Sequence, residues 1–129
     1  MPGVTEIWYA FNQSIVPVTV VQRESDAEVV VPPKSGRAIG QAVPWCWHPR
    51  DFLHSHMEIQ IPEIPVEGGR IYYVWQCRDV DGDFVRYSFE KKYRGVNGQD
   101  KTPAVALSET GGRRALVINE FGYVHLDKA

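Results

Sequence analysis

Cysteine is scarce in this chain: Cys46 and Cys77 are the only two among 129 residues, too few for a disulfide framework. They read as buried free thiols, which behave as small apolar side chains, and a Cys46–Cys77 bridge is the alternative for an exported protein. Charge of one sign is also missing. Lys plus Arg is 14 and Asp plus Glu is 16, a balance of −2 that gives no global pull towards nucleic acid or an anionic membrane. No apolar run approaches the length of a membrane span. The start, Met1 to Glu6, lacks a basic stretch followed by an apolar run, so no secretory signal is expected. The expected location is cytoplasmic, or exported without a signal peptide. Sustained helical spacing with caps, internal repeats and low-complexity linkers are absent too.

What the chain does contain is strands and turns. Arg70 to Arg78 and Phe84 to Glu90 are rich in β-branched and aromatic residues, and Asp81-Gly82 between them suits a type I′ turn, so this stretch reads as a β-hairpin. Ile71, Tyr73, Trp75 and Cys77 face one way and Tyr72 and Val74 the other; a strand apolar on both sides belongs in the middle of a sheet. Upstream, Glu6 to Phe11 reads as a first strand with mixed faces. Ile15 to Gln22 reads as a second, placed at an edge or bulged because Pro17 cannot donate to a ladder. Ala27 to Val31, Arg37 to Val43 and Met57 to Ile61 follow, the last alternating with Glu58 and Gln60. Downstream lie a polar loop with Asn97-Gly98, then runs at Thr102–Leu107, Arg114–Asn119 and Tyr123–Leu126. Many short strands with frequent turn signals imply one all-β domain over residues 1–129, an antiparallel β-sandwich, or alternatively a small β-barrel, with little or no helix.

Several chemistries are testable on residue types and spacing. No Gly-x-Ser-x-Gly elbow and no phosphate-cradling glycine loop are present. Cys46 with His48 is a thiol–imidazole pair by type, but alternate residues rarely come within hydrogen-bonding reach. His54 and His56 put two imidazoles on one face of an extended chain, and His48 offers a third, so these are the candidate ligands of a divalent metal. The His-x-His spacing resembles the first metal motif of cupins, which implies a small metal-dependent enzyme. That motif places a Glu four or five residues after its second His, where Gln60 and Ile61 stand here. Asp79 to Asp83 with Glu90 resembles a calcium loop, but the glycine needed at the sixth position is Phe84, and an acidic hairpin tip is the simpler reading. Lys91-Lys92-Tyr93-Arg94 lies among acids and reads as a solvated face, so nucleic acid is not an expected partner.

The stretch from Pro44 to His56 holds two of the four tryptophans and three of the four histidines. His48-Pro49-Arg50-Asp51-Phe52 suits one helical turn with Pro49 at its start. Exposed aromatics stack on the apolar C–H face of a sugar, while neighbouring polar groups take its hydroxyls. The expectation is therefore a non-enzymatic, lectin-like binding module that recognises carbohydrate through Trp45, Trp47, His48, Arg50, Asp51 and His54, with no cofactor. Two alternatives stand beside it: the cupin-like metal enzyme using His48, His54 and His56, and a structural or assembly protein docking through a sheet edge or the aromatic loop. The partner would be a carbohydrate or a protein, and a homo-oligomer is compatible with the sequence. Burial of Trp45 and Trp47 as plugs at one end of the sandwich would remove the first reading.

Overall fold

A computed structural model describes residues 4–63, 67–79, 82–95 and 104–128. Within them lie β1 (Thr5–Asn12), β2 (Val18–Gln22), β3 (Ala27–Val31), β4 (Ser35–Ala42), a 3-10 helix (Pro49–His54), β5 (Met57–Ile61), β6 (Arg70–Asp79), β7 (Gly82–Ser88), β8 (Val105–Glu109), β9 (Gly112–Ile118) and β10 (Val124–Lys128). They form two sheets, ordered β10-β9-β1-β4 and β3-β2-β5-β6-β7-β8. The all-β sandwich is as the alternation predicts, and no barrel closes. Every ladder between the described strands is antiparallel except β1 with β9, which run parallel. No helix of the described residues is long and apolar enough to cross a membrane.

Period-two alternation builds the main core. Ile7, Ala10 and Leu116 from the smaller sheet meet Val20, Ile59, Val74 and Val85 from the larger, all buried. Removing such side chains from water is the main favourable contribution, about 1.5–3 kcal/mol for each large one. β2 begins only at Val18 and pairs with both β3 and β5, so it is neither an edge strand nor bulged; Pro17 stands just outside the ladder. The hairpin ladder ends at the Asp79–Gly82 pair. Gly82, at φ +118°, thus occupies the closing position instead of the centre of the turn, while Asp81 lies outside the described residues. The Asn97-Gly98 turn falls outside them as well.

The mixed faces of the first strand have a local cause. The register slips between Ile7 and Tyr9 against both neighbours, opposite Gly40 at φ +62°. This bulge resets the alternation, leaving Trp8 exposed and Tyr9 half-buried beside it. On the side of the sandwich formed by β3 and β4, side chains engage the strand-edge carbonyls. Arg37 Nη1 donates to Val30 O at 3.0 Å, Gln41 Nε2 to Ala27 O at 3.4 Å and Gln22 Nε2 to Ala42 O at 3.3 Å. Those contacts blunt both edges against further pairing.

β6 is the hinge between core and site. Tyr72 and Val74 enter the main core, whereas Trp75 and Cys77, with Tyr73 beside them, pack on the outer face of the larger sheet. There they join Cys46, Phe52, Tyr93 and Ala104 in a second cluster. The chain reaches that face by crossing from one sheet to the other after β4. Val43 N donates to Thr5 O at 2.8 Å, Gln76 N to Pro44 O at 2.8 Å and Cys46 N to Gln76 O at 2.9 Å. The fully buried Gln76 side chain secures the crossing: its amide nitrogen donates to Val43 O, and its oxygen accepts from the Thr5 hydroxyl at 2.8 Å. A buried amide needs such partners, since an unpaired one costs about 1–3 kcal/mol.

Candidate functional site

The loop from Pro44 to His56 covers part of that outer face, and its own alternation decides which side chains remain outside. Trp45 forms an isolated bridge with Gln76, so the backbone here is locally strand-like. Cys46 consequently points inward and is fully buried, while the flanking indoles stack on each other outside, with centroids 5.1 Å apart and planes 11° apart. Trp45 is half-buried and Trp47 is 37% exposed. Each indole covers one face of the other. The pair is not a plug inside the sandwich; Trp75, at 0% exposure, is the core tryptophan on this side.

His48 follows in extended conformation, φ −143° and ψ 151°, and precedes the 3-10 helix that opens with Pro49. The expected helical turn is therefore present. It presents Arg50, Leu53 and His54 to solvent, leaves Asp51 half-buried, and drives Phe52 into the second cluster. The six residues expected to bind carbohydrate thus share one short segment, with Trp47, Arg50 and His54 the most open.

Two anchors hold this segment. Phe52 meets Trp75 edge-on at 5.2 Å and lies flat on the His56 ring at 4.8 Å. His56 is fully buried, its Nδ1 against the Phe52 carbonyl oxygen and its Nε2 2.8 Å from Glu58 Oε2. Both ring nitrogens therefore meet an oxygen partner inside the fold. Glu58 is in turn gripped by Arg23, with Nε to Oε2 at 2.8 Å and Nη2 to Oε1 at 3.0 Å, and accepts from Gln60 Nε2 at 3.1 Å. Burial alone pushes the Glu58 carboxyl up; the hydrogen bonds from Arg23, His56 and Gln60 overcome this and bring it down to about 2.

This geometry does not assemble the proposed metal ligands. His56 has both nitrogens engaged inside the fold, His54 ends the helix in solvent and His48 lies before it. Among the described residues no group of three or more His, Cys, Asp or Glu is placed to hold a metal ion. The thiols are free and buried, and burial pushes both up to about 12, so they stay protonated. The Cys46 thiol donates to the backbone oxygen of His48 at 3.4 Å, not to its ring. At the hairpin, Asp79 pairs with buried Arg86 at 3.3 Å and Asp83 with Arg78 at 2.7 Å, so these carboxylates serve arginines.

Two further features escaped the sequence. A cleft of about 300 Å³ opens between the 3-10 helix and the segment after β7, lined by Pro49, Phe52, Leu53, Lys91, Lys92 and Tyr93. Nothing local links residues about forty positions apart, so only the fold reveals it. The second is a row of rings on the outer face of the smaller sheet: Trp8 to Tyr9 at 5.3 Å and Tyr9 to Phe11 at 4.8 Å. Gly36 makes room for it, since a Cβ there would stand 2.6 Å from Tyr9 Cε1 and 3.2 Å from Phe11 Cδ1. No family model, curated protein or solved structure matches the chain.

Proposed function

We propose that the protein is a non-enzymatic binding module that recognises carbohydrate through the Pro44–His56 loop. The observation that carries this reading is the stacked indole pair, with Trp47 37% exposed on a segment anchored by the buried Phe52 and His56. A sugar ring lies on the outward face of Trp47, and His48, Arg50, Asp51 and His54 supply donors and acceptors to its hydroxyls. Phe52 and His56 fix the loop beforehand, which lowers the ordering cost of binding.

Glycan-array screening followed by tryptophan fluorescence titration tests it. A specific hit should shift the fluorescence, and Trp47→Ala should weaken that binding by about 2 kcal/mol or more with little change in melting temperature. No hit on the array, together with unfolding of Trp47→Ala, would remove the loop as a sugar site.

Assembly is the second reading, and a different surface favours it. Trp8 and Phe11, 39% and 43% exposed, lie on β1, and its neighbour β4 exposes the small residues Ala38, Gly40 and Ala42, which leaves apolar surface suited to a protein partner. With the β3 and β4 edges blunted, docking would use this face instead of an edge. Sedimentation should then show a mass that rises with concentration in the wild type and not in Trp8→Asp.

A further inference from the structure

We infer that the ligand of the aromatic loop is an acidic glycan, whose carboxylate or sulfate is held by Lys91 and Lys92 in the cleft beside the 3-10 helix. This rests on the carbohydrate reading of the loop and specifies the class of sugar. The cleft has two unlike walls. Pro49 and Leu53, the latter 57% exposed, form an apolar one; Lys91 and Lys92, both exposed, form a cationic one. Phe52 and Tyr93, almost wholly buried, close the floor. An apolar wall suits the C–H face of a sugar, and two ammonium groups suit an anion attached to it.

Charge complementarity decides for an acidic ligand over a neutral one. Neither lysine forms an ion pair with a described residue, and the same is true of Arg50 on the helix. Adjacent like charges repel, and a bound anion relieves that repulsion. The chain as a whole carries −2, so this cationic rim is a local feature and not the expression of a basic protein. The carboxylates nearest in sequence, Asp51 and Glu90, do not balance Arg50, Lys91 and Lys92.

Proximity decides for a glycan over a free anion. Pro49 follows Trp47 by two residues, about 7 Å of extended chain at most, so the backbone that carries the indole adjoins the cleft wall, a span that a few units of one oligosaccharide match.

The test uses two matched pairs of polysaccharides in affinity electrophoresis at low and moderate salt. Polygalacturonate against its methyl ester isolates the carboxylate, and dextran sulfate against dextran isolates the sulfate. A thymidine oligonucleotide provides a non-sugar polyanion. The wild type should bind the acidic member of at least one pair and hold its neutral member about tenfold or more weakly. Lys91→Gln/Lys92→Gln should lose about tenfold or more of that binding, as should Trp47→Ala. Lys34→Gln/Lys128→Gln, which removes equal charge from exposed positions elsewhere, should lose little. Equal affinity for the neutral member, or no loss in Lys91→Gln/Lys92→Gln, would overturn the inference while Trp47-dependent binding kept the loop as a sugar site. Equal losses in the two lysine variants would mean diffuse attraction and overturn it as well, as would tighter binding of the oligonucleotide. Acidic binding unaffected by Trp47→Ala would separate the cleft from the loop and end the inference. No binding of any polysaccharide would remove both readings.

Discussion

Glu58→Gln exchanges one buried oxygen for an amide and keeps the shape of the side chain, yet it removes the charge that joins Arg23 to His56. Both contacts are charge-assisted, and such bonds contribute about 1.5–3 kcal/mol each. Arg23 is partly solvated and screened, so its share belongs at the lower end. Linkage gives a similar size: a carboxyl at about 2 in the folded protein against its ordinary 4.5 corresponds to roughly 3 kcal/mol at neutral pH. The variant should therefore lose about 2–4 kcal/mol of unfolding free energy at pH 7. The folded carboxyl is depressed, so the stability it supplies is fully present above pH 4.5 and is lost as pH falls through about 2. Urea denaturation of wild type and variant at pH 7, 4 and 3 measures this, and the gap between them should narrow with acid. A gap below about 1 kcal/mol at pH 7, or one that stays constant down to pH 3, would refute the assignment of Glu58 as the ionised link between loop and sheet.

Trp75→Ala should cost about 3–5 kcal/mol in denaturant melts because the ring is wholly buried, whereas Trp47→Ala should cost far less. Gly82→Val should lower stability by about 1 kcal/mol or more, since a β-branched residue resists a φ of +118°; an unchanged denaturation midpoint would contradict the closing position given to Gly82. Cys46 and Cys77 should not react with a thiol reagent at pH 8 in the native protein and should both react in denaturant, which a mass shift of two adducts reports. Gly36→Val should displace the Tyr9 and Phe11 rings, visible as a change in near-UV circular dichroism with far-UV β signal retained.

Local chemistry makes most of the strands legible, and long-range packing sets the exceptions. Met57, Ile59 and Ile61 alternate and are buried as alternation requires. The same pattern assigns Glu58 to the solvent side of its strand, yet Glu58 is buried, because the face it points to is covered by the aromatic loop. Pro17 marks the start of β2 and not an edge of the sheet; a missing N–H says that a ladder cannot include the residue, not where the sheet ends. The His54-Ser55-His56 spacing puts two rings on one face only in an extended chain; here the 3-10 helix ends at His54 and β5 starts at Met57, so one ring is exposed and the other buried.

The sequence by itself determined the strands, their approximate limits, the double-sided burial of β6 and the helical turn at Pro49, because alternation, turn residues and proline geometry act over a few bonds. Only the tertiary structure decided which tryptophans are core and which are surface. Trp45, Trp47 and Trp75 look alike in sequence, and their burial depends on which segment crosses above them. The parallel pairing of β1 with β9, the His56–Glu58–Arg23 link and the meeting of Lys91 and Lys92 with Pro49 join parts of the chain that share no local signal. Long-range contacts are selected by burial of the whole apolar surface at once, a sum over both sheets that no short window of residues contains.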